Sequence, residues 1–101
     1  MGLLDFLLKN KSEDIKDFLN RGAIIVDVRT ASEYSQGAIA GSKNIPLQVI
    51  DSEIGHLKKL KKPIITCCAS GMRSGRATDI LKGYGIESMN GGGWSSLKNK
   101  L

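Results

Sequence analysis

A chain of 101 residues, 41% hydrophobic and 25% charged, has material for one core and too much apolar content for wholesale disorder. Its net charge of +5 suits an anionic ligand or an acidic partner. Aromatic residues make up only 5%, and the densest basic run, Lys58-Lys59-Leu60-Lys61-Lys62, has no interleaved stacking side chains, which argues against nucleic acid as the partner. That run is expected to be a solvated helix end whose lysines complement the helix dipole.

The first residues, MGLLDFLLKN, lack a basic n-region and a small-residue cleavage site, and they are too interrupted to span a bilayer. Phe6 stands where myristoylation would want Ser or Thr. A cytoplasmic protein with no membrane attachment is expected. Residues 1–101 read as a single domain, with 1–11 an N-terminal extension or helix, and nothing in the sequence demands more than a monomer. Ser12-Glu13-Asp14 places a capping hydroxyl and two acids ahead of Ile15, Phe18 and Leu19, which predicts a helix over 12–20 ended by Arg21-Gly22. Ala23 to Val28 is a β-branched apolar run without alternation, as in a strand buried on both faces.

A short helix capped by Thr30 or Ser32 follows, then the glycine-punctuated turn Gln36 to Gly41. Ser42 to Ile45 is a short strand candidate, broken by Pro46, and Val49, Ile50, Ile54 and Leu57 continue in helical spacing to about Leu60. Pro63 to Cys67 is a second buried-strand run. Ala77, Ile80, Leu81 and Tyr84 line one face of a helix that ends at Gly83 and Gly85. Ile86 to Met89 reads as a last strand, Asn90-Gly91-Gly92-Gly93 as a turn, and Trp94 to Leu101 as a terminal helix. Strands alternating with helices imply an α/β fold, a central parallel sheet flanked by helices on both faces.

The two cysteines, Cys67 and Cys68, are adjacent, so they form no unstrained disulfide, and with His56 the only histidine they offer no tetrahedral zinc set; no metal or cofactor is expected. Cys68 ends a strand, where ligands bind in open α/β sheets. The small residues Ala69, Ser70 and Gly71, with Met72, let the backbone curl its N–H groups inward as an anion nest. A helix starting at about Ser74 aims its positive end at the same spot. Backbone donors, the helix end and Arg73 would each favour the Cys68 thiolate, and Arg73 can also pair bidentately with an oxyanion. The loop therefore predicts a reactive cysteine facing a small anionic substrate.

The neighbours leave alternatives open. Cys67 is either a packed strand residue or an accessory thiol that resolves an oxidised Cys68. Ser74 is either the cap of the following helix or a donor to the bound sulfur. Asp27 ends a buried strand and needs a partner, which the loop N–H groups or Arg29 would supply, or it tunes the site. Trp94 is a core residue whose edge could line the mouth, and Met72 at the loop tip would set access for the acceptor.

Four blocks in order, Ile25-Val26-Asp27-Val28-Arg29 with Glu33-Tyr34, Gly37 to Leu47, Cys68 to Ser74, and Gly92-Gly93-Trp94, resemble the rhodanese-like family of single-domain sulfurtransferases. The resemblance implies the rhodanese fold and a cycle in which Cys68 takes a sulfane sulfur from thiosulfate or a persulfide and passes it to cyanide, a thiol or a protein thiol. It also implies that the N–H groups of Ala69 to Ser74 stabilise the terminal sulfur, while Arg73 holds the anionic donor and the departing sulfite. The loop from Cys68 to Arg73 counts six residues, which in the family goes with sulfur transfer, whereas related phosphatases have one more. The chain departs from the family pattern at Gly37-Ala38, where a histidine often stands, and at Gly91, where an acid often precedes the double glycine. A catalytically weak binding module on the same fold is the alternative, and a cysteine-dependent phosphatase or arsenate reductase the next.

Overall fold

The computed structural model describes residues 3–101, with side chains from Lys11 onward. Helix α1 (Leu3–Asn20) leads into strand β1 (Ile24–Asp27), helix α2 (Ala31–Ser35) and strand β2 (Lys43–Asn44). A 3-10 segment (Leu47–Glu53) then runs into α3 (Ile54–Leu60), followed by β3 (Ile64–Cys68), α4 (Met72–Gly83), β4 (Ser88–Gly93) and α5 (Trp94–Lys98). The four strands form one sheet in the order β2-β1-β3-β4, every neighbouring pair parallel. The parallel α/β fold expected from the alternation of elements is the one observed.

Strand period places alternate β3 residues on opposite faces. Ile64 and Cys68 join Val26, Ile50, Leu57, Ala77 and Leu81 in one core, beneath α3 and α4. Ile65 and Cys67 join Ile15, Phe18, Ile39 and Leu97 in the other, beneath α1 and α5. All five β3 residues are buried, which accounts for the unbroken apolar run in the sequence. Thr66 is the polar member of that strand, and its hydroxyl lies 3.0 Å from Ser74 O and 2.8 Å from Thr78 Oγ1.

Three expectations are corrected. Helix α1 begins well before Ser12, because the preceding Leu and Lys residues are good helix formers and nothing there breaks the helix. Pro46 leaves Val28 O to accept from Leu47 N, and the chain first winds as a 3-10 helix before α3 begins at Ile54. The third concerns Asn90-Gly91-Gly92-Gly93, which is not a turn: it is most of β4, pairing along β3 as far as Cys68↔Gly93 with a register shift between Thr66 and Cys68. Glycines serve there because the strand lies against its neighbours: a Cβ on Gly91 would sit 2.8 Å from Ile65 Cγ2 and from Thr66 O. The basic run behaves as expected, with Lys58 and Lys59 in the last turn of α3 and Lys61 closing it in the left-handed region, φ 52°.

Candidate functional site

Strand β1 sends its connection to β2 on one side, whereas β3 sends its connection to β4 on the other, so the sheet order reverses between the carboxyl ends of β1 and β3. Such a reversal leaves a crevice where ligands bind in open α/β sheets. Asp27 and Cys67 are register partners at that point, and Cys68 is the next residue.

Past Cys68 the chain makes a tight return into α4. Gly71 is its hinge: at φ 99° it adopts a conformation that side chains disfavour, and a Cβ would meet Gly92 Cα at 3.3 Å. With that bend in place, Gly71 N donates to Cys68 Sγ at 3.0 Å, Ser74 N at 3.4 Å and Ser74 Oγ at 3.3 Å. Burial pushes the Cys68 thiol up, but the Ser74 hydroxyl and the Ser74, Gly71 and Ser70 amides together pull it further down, below its ordinary value. Ala69, Ser70 and Met72 are exposed on the outside of the loop, Met72 at 82%. Helix α4 starts at Met72 with Gly71 as its cap, two residues earlier than expected, so Ser74 is inside the first turn as a sulfur donor and not the cap.

Cys67 is as buried as its neighbour but lies among different groups. It faces the α1/α5 core, fully buried, and burial, then the Asp27 charge, push its thiol up to about 12. It faces away from Cys68 and packs as a strand residue in that core.

Asp27 finds its partner in Arg29. The guanidinium donates through Nε and Nη2 to both carboxylate oxygens at 2.7–3.1 Å, Arg29 N adds a bond to Oδ1 at 3.1 Å, and both side chains are essentially buried. Arg29 Nη2 also reaches Gly37 O at 2.8 Å, and its guanidinium carbon lies 4.6 Å from the centre of the Trp94 ring. The pair thus ties β1 to the α2–β2 connection and to α5, on the opposite face from Cys68, and Asp27 bonds to no loop N–H.

Two residues of the site were not singled out by the sequence reading. Asn90 Nδ2 donates to Gly71 O at 2.9 Å, and its Oδ1 accepts from Gly92 N at 2.9 Å and lies 2.7 Å from Ser74 Oγ, whose single proton it shares with Cys68 Sγ, clamping the loop to β4. Only the β4 register brings it there, and a residue read as part of a turn gave no signal. Glu33 takes both hydrogen bonds of the Arg73 guanidinium, at 2.7 and 3.0 Å. Arg73 is therefore tied to a carboxylate through two of its N–H groups while its side chain stays partly exposed. It also borders a cavity of about 370 Å³ walled mainly by Val28, Ala31, Pro46 and Leu47.

Comparison with known proteins extends this likeness over the molecule. Residues 11–100 match the rhodanese-like domain. A sulfurtransferase of Allochromatium vinosum is 31% identical over 88 residues, 84% of this chain and 77% of that protein. The thiosulfate sulfurtransferase GlpE of Ectopseudomonas mendocina is 29% identical over 83 residues, 79% of this chain and 75% of its own. Across the curated relatives the chain spans from 46% to 77% of the other protein's length. A crystal structure of a rhodanese-related protein from Thermoplasma volcanium superposes with a TM-score of 0.73 at 28% identity, covering 88% of each chain. Because the match runs through all four strands and the Cys68 loop and not over one motif, this chain belongs to the rhodanese-like domain family.

Proposed function

We propose that the protein is a sulfurtransferase that carries a sulfane sulfur as a persulfide on Cys68. The observation that carries this reading is the convergence of Gly71 N, Ser74 N and Ser74 Oγ on one sulfur atom at the end of β3. Donors so placed favour a thiolate, and they equally favour the terminal sulfur of a persulfide, which bears the same charge one bond further out.

With thiosulfate as donor, the Cys68 thiolate attacks the outer sulfur, a new S–S bond forms, and the old one breaks with its electron pair leaving on sulfite. Charge is conserved: a thiolate and a dianion become a persulfide anion and sulfite dianion. With a persulfide donor the leaving group is the donor's own thiolate. A thiophilic acceptor, cyanide or a thiol, then attacks the terminal sulfur and returns Cys68 as thiolate. No metal or redox cofactor is needed for either half.

Intact mass tests the cycle. Reduced protein incubated with thiosulfate or an organic persulfide is expected to gain one sulfur that cyanide removes, Cys68→Ser to gain none, and Cys67→Ser to behave as wild type. Absence of the gain with both donors would refute the proposal, and equal loss in both cysteine variants would refute the assignment of Cys67.

A further inference from the structure

Arg73 is the cation that an anionic donor would seek at this loop, and two of its five N–H donors are already taken by a carboxylate. Nη1 and Nη2 donate to Glu33 Oε1 and Oε2 at 2.7 and 3.0 Å, and each side chain retains only about a third of its exposure, 36% and 37%. Glu33 is itself fixed in place. It is the third residue of the α2 capping box, with Oε1 accepting from Thr30 N and Thr30 Oγ1 at 3.1 Å, while Thr30 Oγ1 accepts from Glu33 N. The Arg73 guanidinium first, and then the Thr30 amide, hold the Glu33 carboxyl at about 2, so it is ionised at any working pH.

The charge demands of the possible donors differ. Attack on thiosulfate gathers a thiolate and a dianion before sulfite departs, so a free cation at the mouth would help it most. Attack on an organic persulfide gathers at least one negative charge fewer. The donors that reach Cys68 Sγ itself, Gly71 N, Ser74 N and Ser74 Oγ, are neutral and serve both reactions. Beside Arg73, the apolar walls at Val28, Ala31, Pro46 and Leu47 offer a carbon skeleton a surface, with Thr30 and Gln48 the polar members of the lining.

We propose that Glu33 selects the sulfur donor: by holding Arg73 in a neutral pair it disfavours thiosulfate and leaves the site to organic persulfides. The inference deepens the sulfur-transfer reading and rests on it. Glu33 acts through Arg73 and is a positioning residue.

Glu33→Gln separates the two effects, because glutamine still completes a capping box while releasing the guanidinium from its counter-charge. The readout is the rate at which the full chain gains one sulfur, by quenched intact mass, from thiosulfate and from the hydropersulfide of 2-mercaptoethanol. The variant is expected to take sulfur from thiosulfate about fivefold faster relative to the persulfide, the weight of one partly exposed ion pair. Arg73→Ala, which bares the Glu33 charge, is expected to slow thiosulfate more than the persulfide, so that the donor ratio moves in opposite directions in the two variants. A donor ratio that stays fixed in both variants, or an equal loss for both donors, overturns the inference while leaving sulfur transfer standing. Wild type that takes sulfur from neither donor overturns the underlying reading as well.

Discussion

One position along β3 separates Cys68 from Cys67, and the sheet's two-residue period turns that step into opposite chemistry. Cys68 has its thiol pulled below the ordinary 9.0, so its alkylation by iodoacetamide is expected to rise with pH through a midpoint under that value. Ser74→Ala removes the hydroxyl donor and should move the midpoint up; an unmoved midpoint would mean that the hydroxyl serves Asn90 alone. Cys67, pushed from 9.0 to about 12, remains a thiol in the folded chain after the unfolded chain has begun to ionise. A raised folded value contributes stability that is complete below pH 9.0 and is lost as pH climbs toward about 12. Alkaline unfolding of Cys67→Ala is therefore expected to lack part of the wild-type decline in that window, which urea titrations at stepped pH would register.

At the scale of elements, the short helix α2 and the glycine-rich β4 hold the site from two sides. The capping box of α2 fixes Glu33 and so the outer end of Arg73. Thr30→Ala should cost about 1 kcal/mol in chemical denaturation, as an N-cap loss does. Strand β4 presses its backbone on β3 at Gly91, where even a methyl group would overlap Ile65 and Thr66 O. Gly91→Ala is expected to destabilise the chain by about 2 kcal/mol through overpacking, and to loosen the Asn90 clamp two bonds away so that Cys68 reactivity changes as well; a variant as stable as wild type would contradict this packing.

Across the whole molecule, charge and chemistry lie at opposite ends. Lys58, Lys61, Lys62 and Arg21 border a cavity of about 550 Å³ by Pro63 and Glu87, at the amino ends of β3 and β4, whereas Cys68 sits at the carboxyl end. That basic run therefore says little about the immediate surroundings of the thiol, whose sulfur accepts from amides and a hydroxyl, with Arg73 paired to Glu33 beside it. Two cores, one on each face of the sheet, hold the strands in the register that brings Asp27, Cys68 and Asn90 to one end. Among the described residues no helix is long and apolar enough to cross a membrane.

The sequence by itself determined the parallel α/β architecture, since buried parallel strands read as unbroken apolar runs and helices as 3.6-residue periodicity, and it singled out Cys68, since a thiol at a strand end before a glycine bend and a helix start is a local pattern. The Thr30 cap and the partnership of Asp27 with Arg29 were also legible, because both are made within a few residues along the chain. Only the tertiary structure decided what lies opposite these groups. Asn90 reaches Gly71 and Ser74 across the β3–β4 pairing, and Glu33 reaches Arg73 from 40 residues away. Contacts of that span are set by strand register and helix packing, which no local spacing records, and they decide which residues hold the sulfur and which hold its cation.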